Sequence, residues 1–228
     1  MVLRQQGKLE DAVASFQKAI TIKPDYTTAY NNFGVALQKQ GRLDKAVASY
    51  EKALAVRPDY AAAYSNLGSA QQKQGRLDEA AASFKKALLL KPDYTEVYYN
   101  IGDLLQEQGK LDAAVVSYEQ ALVIKPGYAA AYSNLGVVLR RQGRLDEAVA
   151  SFEKAIAIKP DYATAYSNLG VVRQDQGKLD EAVINQQKAI SIQPEFAEAY
   201  FNLSLLRKST EKSEIAAMET LLSGKTDD

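Results

Sequence analysis

The sequence predicts an all-α protein in which antiparallel helix pairs stack into a solenoid. The first observation is a period of 34 residues, which separates all six prolines of the chain. Two series of glycines share this spacing. Within each period, apolar residues recur three and four positions apart in two stretches, as they do in two amphipathic helices. The prolines are Pro24, Pro58, Pro92, Pro126, Pro160 and Pro194.

In the unit 27–60, apolar residues mark one helix before Gly41 and a second helix after it. Gly41 lies at the C-terminal end of the first helix, where many helices have a residue in the left-handed conformation. Asp44 lies at the start of the second helix, where the helix dipole favours an acid. Gly34 lies inside the first helix, where glycine costs about 1 kcal/mol relative to alanine. We therefore expect a close helix contact there, against small residues such as Ala46 of the second helix.

The period, the paired helices and the proline after each pair resemble the tetratricopeptide repeat. Tyrosine stands where that family's pattern usually has tryptophan. The resemblance implies a right-handed superhelical solenoid whose first helices line a concave groove. The tyrosines are Tyr30, Tyr64, Tyr98, Tyr132, Tyr166 and Tyr200.

The resemblance predicts a single array over residues 1–228. It divides the chain into a partial repeat at 1–26, full repeats at 27–60, 61–94, 95–128, 129–162 and 163–196, a divergent C-terminal capping repeat at 197–222 and a frayed tail at 223–228. Aligned on the period, the residues before Gly7 are the end of a first helix, so the helix at 9–22 lacks part of its packing partner. We expect this open N-terminal face to support homo-oligomers.

The composition argues against catalysis and against binding driven by charge. Lys plus Arg and Asp plus Glu number 28 each, and the chain has neither cysteine nor histidine. A balanced charge gives no field that attracts nucleic acid, and the commonest metal ligands and the commonest general base are missing. Paired acids such as Asp78 and Glu79 recur with the period at helix starts, which favours a dipole role. We predict no enzyme, no metal and no cofactor.

The sequence also lacks an apolar run of the 18 or more residues that suggest a membrane span, and it lacks the pattern of a signal peptide. We therefore expect a cytoplasmic protein that binds neither membranes nor nucleic acid.

Asparagine occupies one equivalent position on every first helix, so that stacking the repeats would align these residues as a ladder. An amide both donates and accepts hydrogen bonds, which suits the backbone of an extended peptide. The alternative is that each asparagine bonds a neighbouring repeat, and both can hold. The ladder is Asn32, Asn66, Asn100, Asn134, Asn168 and Asn202.

The neighbouring groove positions are mostly small or apolar, and four residues depart from that pattern. They are Tyr99, Asp103, Phe201 and Leu205, which we expect to anchor a ligand. The lysine, asparagine and arginine set with which some tetratricopeptide domains bind a terminal carboxylate is missing. At Gln186, where the other repeats have Phe or Tyr, we expect looser packing.

These features predict a protein–protein interaction scaffold that binds a protein or peptide ligand in the concave groove. The asparagine ladder is similar to that of the repeat region of O-linked N-acetylglucosamine transferases, and residues 214–222 resemble the junction with a sulfotransferase domain in some bacterial proteins. The alternatives are therefore a substrate-docking or oligomerisation region of a larger glycosyltransferase or sulfotransferase, or a self-assembly module.

Overall fold

The computed structural model describes the backbone of residues 2–207 and the side chains of residues 8–207. The chain divides into two compact units, Met1–Lys110 and Leu111–Asp228. The first unit contains α1 (Val2–Ile22), α2 (Thr27–Lys39), α3 (Leu43–Val56), α4 (Ala61–Lys73), α5 (Leu77–Leu90) and α6 (Thr95–Glu107). The second contains α7 (Leu111–Ile124), α8 (Ala129–Arg141), α9 (Leu145–Ile158), α10 (Ala163–Asp175) and α11 (Leu179–Ile192), and residues 197–207 form part of α12.

The all-α prediction is confirmed, and consecutive helices form the expected pairs. In the first unit α2 packs on α3 and α4 on α5, and in the second unit α8 packs on α9 and α10 on α11. Second helices also pack against the first helix of the following pair, as α3 does against α4 and α9 against α10. The described residues contain no strand and no helix that is both long and apolar enough to span a bilayer. Residues 208–222 of the predicted capping repeat at 197–222, and the predicted tail at 223–228, lie outside the described residues.

The turn inside each pair has the left-handed glycine that the sequence predicts. Gly41 has a φ of 74°. Its N–H donates to the Gln38 carbonyl, and the Arg42 N–H donates to the Leu37 carbonyl, both at 3.0 Å. These two bonds form a Schellman motif, which satisfies carbonyls at the end of α2.

The second glycine series has a packing reason, but it differs from the one expected. A Cβ at Gly34 would lie 2.5 Å from the Tyr50 ring, and one at Gly68 would lie 2.7 Å from the Phe84 ring. The alanines of the second helix, such as Ala46, are fully buried but are not the nearest atoms to these glycines. An aromatic ring of the second helix therefore packs directly against the glycine of the first helix.

The looser packing expected at Gln186 is not seen. The side chain is fully buried, and its Nε2 lies 2.7 Å from a Cβ built at Gly170. Its Oε1 accepts from the Ser167 hydroxyl, and its Nε2 donates to the Ser167 carbonyl, both at 2.9 Å. The glutamine fills the place of the ring, and both ends of its amide are hydrogen-bonded.

The first helix differs from the prediction, because α1 is one continuous helix that runs through Gly7. Gly7 therefore does not end a helix here, and α1 tolerates the cost of an internal glycine. The packing face of α1 is less covered than that of the other second helices. Phe16 is half-buried, whereas the equivalent Tyr50 and Phe84 are completely buried.

A cation lies over a tyrosine ring in the turn that joins successive pairs. The Arg57 guanidinium is 3.7 Å from the centre of the Tyr60 ring, and the Lys91 ammonium is 4.6 Å from that of Tyr94. Such contacts contribute about 0.5–1 kcal/mol at exposed sites. The sequence Lys-Pro-Asp-Tyr recurs in these turns, and its proline lies at the start of a new unit. The contact gives its basic residue and its tyrosine a structural role as well.

Candidate functional site

Two ladder asparagines of the first unit are connected through a third asparagine. The Asn66 Nδ2 donates to the Asn31 Oδ1 at 2.9 Å. The Asn31 Nδ2 in turn donates to the Asn32 Oδ1 at 3.3 Å. Asn66 therefore bonds a neighbouring repeat, which is the structural alternative to ligand binding, while Asn32 stays exposed.

Asn100 differs from Asn66 because it makes no hydrogen bond to the equivalent residue of the preceding repeat. That residue is Ser65, at the position that Asn31 occupies one repeat earlier. Asn100 is half-buried, and no side-chain hydrogen bond joins it to another of the described residues. Its amide is therefore available to a ligand.

Asn100 and Asp103 line the same polar pocket of about 430 Å³ between α4 and α6. One wall is closed by a hydrogen bond from the Gln72 Nε2 to the Glu107 Oε2 at 3.1 Å. The remaining lining residues are Ser69 and Lys73. The structure thus brings two of the predicted site residues together, and Tyr99 is half-buried beside them in the chain.

A buried tyrosine is connected by hydrogen bonds to Ser69, which lines this polar pocket. The Tyr50 hydroxyl donates to the Gln38 Oε1 at 2.9 Å, and the Gln38 Nε2 donates to the Ser69 Oγ at 3.2 Å. Burial raises the pKa of Tyr50, so that the phenol keeps the proton it donates. This relay from α3 through α2 to α4 was not predicted from the sequence, where Tyr50 has only the apolar spacing of a core residue.

In the second unit, Asn202 bonds the preceding repeat only weakly. Its Nδ2 lies 3.4 Å from the Ser167 Oγ, and the same hydroxyl donates to the buried Gln186. Asn168 is half-buried and, within residues 8–207, makes no side-chain hydrogen bond. Asn134 is also half-buried. The ladder therefore combines hydrogen bonds between repeats with amides that a ligand can reach.

Phe201 and Leu205 lie four residues apart on α12, so they share one face of that helix. Their side chains are 62% and 40% exposed. Both predicted anchors thus present apolar surface next to Asn202.

Two arginines of the second unit form ion pairs with acids of other helices. The Arg140 Nε lies 2.5 Å from the Asp175 Oδ2. Arg173 pairs with Glu153 at 3.1 Å and with Glu181 at 3.0 Å. Among the residues that the structure describes, no group of three or more acids could hold a metal ion.

The acids at the starts of second helices have two structural roles. Arg144 donates to Glu147 at 2.6 Å, and this hydrogen bond lowers the pKa of the Glu147 carboxyl. The preceding aspartate accepts from a glutamine of the next repeat, as Asp44 does from Gln74 at 2.7 Å. We call this contact the inter-repeat Gln–Asp hydrogen bond. It recurs between Gln142 and Asp112 at 2.7 Å and between Gln176 and Asp146 at 2.8 Å.

Comparison with known families gives matches along nearly the whole described chain. A family model described as tetratricopeptide repeat matches residues 25–92, 59–126, 93–161 and 127–195. A second model, described as TPR repeat, matches residues 2–41. Among curated proteins, none matches the chain significantly.

Several solved structures share the fold. YrrB, described as a TPR protein with an unusual peptide-binding site, is 28% identical with a TM-score of 0.62, over 82% of this chain and 96% of YrrB. MamA is 30% identical with a TM-score of 0.64, over 72% of this chain and 96% of MamA. The Cut9–Hcn1 hetero-tetramer of the APC/C contains a chain with a TM-score of 0.78 at 19% identity, over 88% of this chain and 40% of that one, and it supports the fold alone.

Proposed function

The chain belongs to the tetratricopeptide-repeat family of protein-interaction scaffolds, and from this premise we propose that it binds an extended peptide segment along its first helices. The ladder asparagines bond the peptide backbone, and Tyr99, Asp103, Phe201 and Leu205 select side chains. Binding does not require a cofactor, a metal or catalysis.

The observation that carries this proposal is Asn100 in the polar pocket between α4 and α6. The amide of Asn100 is open to water, because no buried side-chain nitrogen or oxygen of the described residues lacks a hydrogen-bond partner. A ligand could therefore bond this amide without breaking a hydrogen bond within the protein. Asn100 has no side-chain partner among the described residues. A peptide group offers both the acceptor and the donor that this amide lacks.

The expected affinity is modest. A hydrogen bond contributes about 0.5–1.5 kcal/mol net, and ordering an extended segment offsets part of that sum. A few such bonds therefore favour a ligand in the micromolar range, where about 8 kcal/mol corresponds to 1 μM. The similarity to YrrB, a TPR protein with a peptide-binding site, supports the class of ligand.

The test is a selection of extended peptides from a random displayed library, followed by calorimetric titration of the selected peptides. Asn100→Ala should weaken binding by about two- to twelve-fold. The matched control is Gln120→Ala, an exposed amide on the second helix α7. Equal affinity of both variants for every selected peptide would refute the role of the ladder. Circular dichroism of each variant checks that its helices are intact.

A second candidate is self-association through α1, which the half-buried Phe16 favours. The matched comparison is a chain that carries a copy of residues 27–39 ahead of α1 to cover that face. Light scattering over a wide concentration range should show a mass that rises with concentration for the unextended chain and a constant mass for the extended chain. A mass that stays monomeric at all concentrations would rule this association out.

A further inference from the structure

The first unit contains a second pocket, on a different side of α6 from the groove. It lies between α5 and α6 and has a volume of about 440 Å³, which is within the usual range for ligand sites of roughly 300–1,000 Å³. Ile101, Leu104 and Leu105 line it from α6. Asn100 and Asp103 on the same helix line the polar pocket instead. The helix therefore separates two pockets of opposite character.

The pocket lies where this repeat has an alanine in place of the valine of the other repeats, so two methyl groups are missing. Ala81 lines it from α5 and is exposed. The equivalent Val47, Val115 and Val149 are between 6% and 8% exposed. The valines at this position in the other repeats are Val13, Val47, Val115, Val149 and Val183. The smaller side chain leaves unfilled space between the two helices.

A missing hydrogen bond also marks this junction. Gln108 and Asp78 are the pair that would form the inter-repeat Gln–Asp hydrogen bond here, and both line the pocket. No hydrogen bond joins them, whereas the three described bonds of this kind are 2.7–2.8 Å long. The polar ends of both side chains are therefore free to face a ligand.

The lining combines an apolar interior with a net positive charge. Besides the three α6 residues, Leu88 and Leu89 add aliphatic surface from α5. Lys85, Lys110 and Asp78 carry the charges, which sum to +1. In the part of the chain that the structure describes, neither lysine has an ion-pair partner.

We propose that this pocket binds a small amphipathic organic anion, whose apolar body lies against α5 and α6 and whose single negative charge faces Lys85 and Lys110. An anion near the exposed Lys85 and Lys110 gains an attraction that a neutral ligand does not, and a cation would be repelled by them. The proposal is independent of peptide binding in the groove, because no residue lines both pockets.

The probe for the test is 1-anilinonaphthalene-8-sulfonate, which has an apolar body and one sulfonate and fluoresces in apolar surroundings. We expect one saturable site per chain at low probe concentration. Ala81→Val should abolish that site because the valine restores the side chain of the other repeats and fills the space. The thermal midpoint of this variant should be unchanged or higher, so that loss of binding is not loss of folding.

Ala82→Val is the matched control, because it adds the same two methyl groups at an exposed neighbour that does not line the pocket. It should leave the site intact. Leu89→Gln, at a side chain that is 73% exposed, should weaken binding with little effect on the fold. If Ala81→Val and Ala82→Val bind the probe equally, the pocket is not the site and the proposal is wrong.

The charge part of the proposal is tested by Lys85→Gln combined with Lys110→Gln. The double variant should bind the probe about two- to ten-fold more weakly, and the dependence of affinity on salt should decrease. An unchanged affinity and salt dependence would overturn the assignment of an anionic ligand. Asn100→Ala, which lies in the other pocket, should not change probe binding in either case.

Discussion

The contact between a helix glycine and an aromatic ring makes a specific prediction for Gly68→Ala. A Cβ at this position would lie 2.7 Å from both Cδ1 and Cε1 of Phe84, which is closer than carbon atoms approach in folded proteins. Phe84 is fully buried, so its ring cannot move into solvent. Alanine gains about 1 kcal/mol in helix propensity, but overpacking costs about 1–3 kcal/mol.

Because two ring atoms clash and the ring is enclosed, we expect the overpacking cost to lie near the upper end of that range. The net loss is then about 1–2 kcal/mol, which lowers the melting temperature by roughly 2–4 °C for each kcal/mol in a chain of this size. Urea unfolding followed by circular dichroism measures this loss. Phe84→Leu in the same chain should reduce the cost of the alanine by about 1 kcal/mol, because leucine lacks the outer ring atoms.

Gly127→Ala is the matched control for this prediction. Nothing lies within 4 Å of a Cβ at Gly127, and its φ is not positive. Alanine there should be neutral or should stabilise the fold by about 0.4–1 kcal/mol, because it restricts the unfolded chain. If Gly68→Ala is as stable as Gly127→Ala, the ring contact is not what requires glycine in the first helices.

Three further predictions concern hydrogen bonds. Tyr50→Phe removes only the hydroxyl group that donates to Gln38. Urea unfolding should show that the free energy of unfolding falls by about 0.5–1.5 kcal/mol. An unchanged midpoint would mean that this chain of hydrogen bonds does not stabilise the fold. Gln176→Ala should destabilise the second unit by a similar amount in the same assay, whereas a replacement at an exposed, unbonded glutamine should not. The hydrogen bond from Arg144 lowers the pKa of Glu147, so its stabilisation is present above the unfolded-state pKa and is lost as the pH falls through the lowered folded-state value. The melting temperatures of the chain and of Arg144→Gln should therefore converge at acidic pH, and a difference that persists there would contradict this linkage.

The sequence predicts the helix pairs well because the same local signals recur in each repeat. Gly41 requires a left-handed turn, and the apolar spacing on each side of it requires a helix. Gly7 shows where this reasoning fails. The same residue type at the same position of the period lies inside the continuous helix α1, so a glycine at this position does not by itself end a helix.

The site is harder to predict because the partner of an amide depends on small differences between repeats. Asn66 bonds Asn31, whereas Asn100 makes no side-chain hydrogen bond to Ser65 at the equivalent position of the preceding repeat. Periodicity gives both asparagines the same place and cannot distinguish them. The pocket at Ala81 left a visible signal, a single alanine in a series of valines, but alanine is so common on these helices that this substitution does not stand out in the sequence.

The inter-repeat Gln–Asp hydrogen bond also bears on how such a chain can change its length during evolution. The aspartate belongs to one repeat and the glutamine to the next, and each repeat that forms two junctions supplies one of each. A duplicated or deleted segment of one full period therefore keeps a glutamine and an aspartate at the new junction, although Gln108 and Asp78 show that the two residues do not bond at every junction. Recombination between nearly identical repeats can then lengthen or shorten the array in whole units that keep this pair of residues.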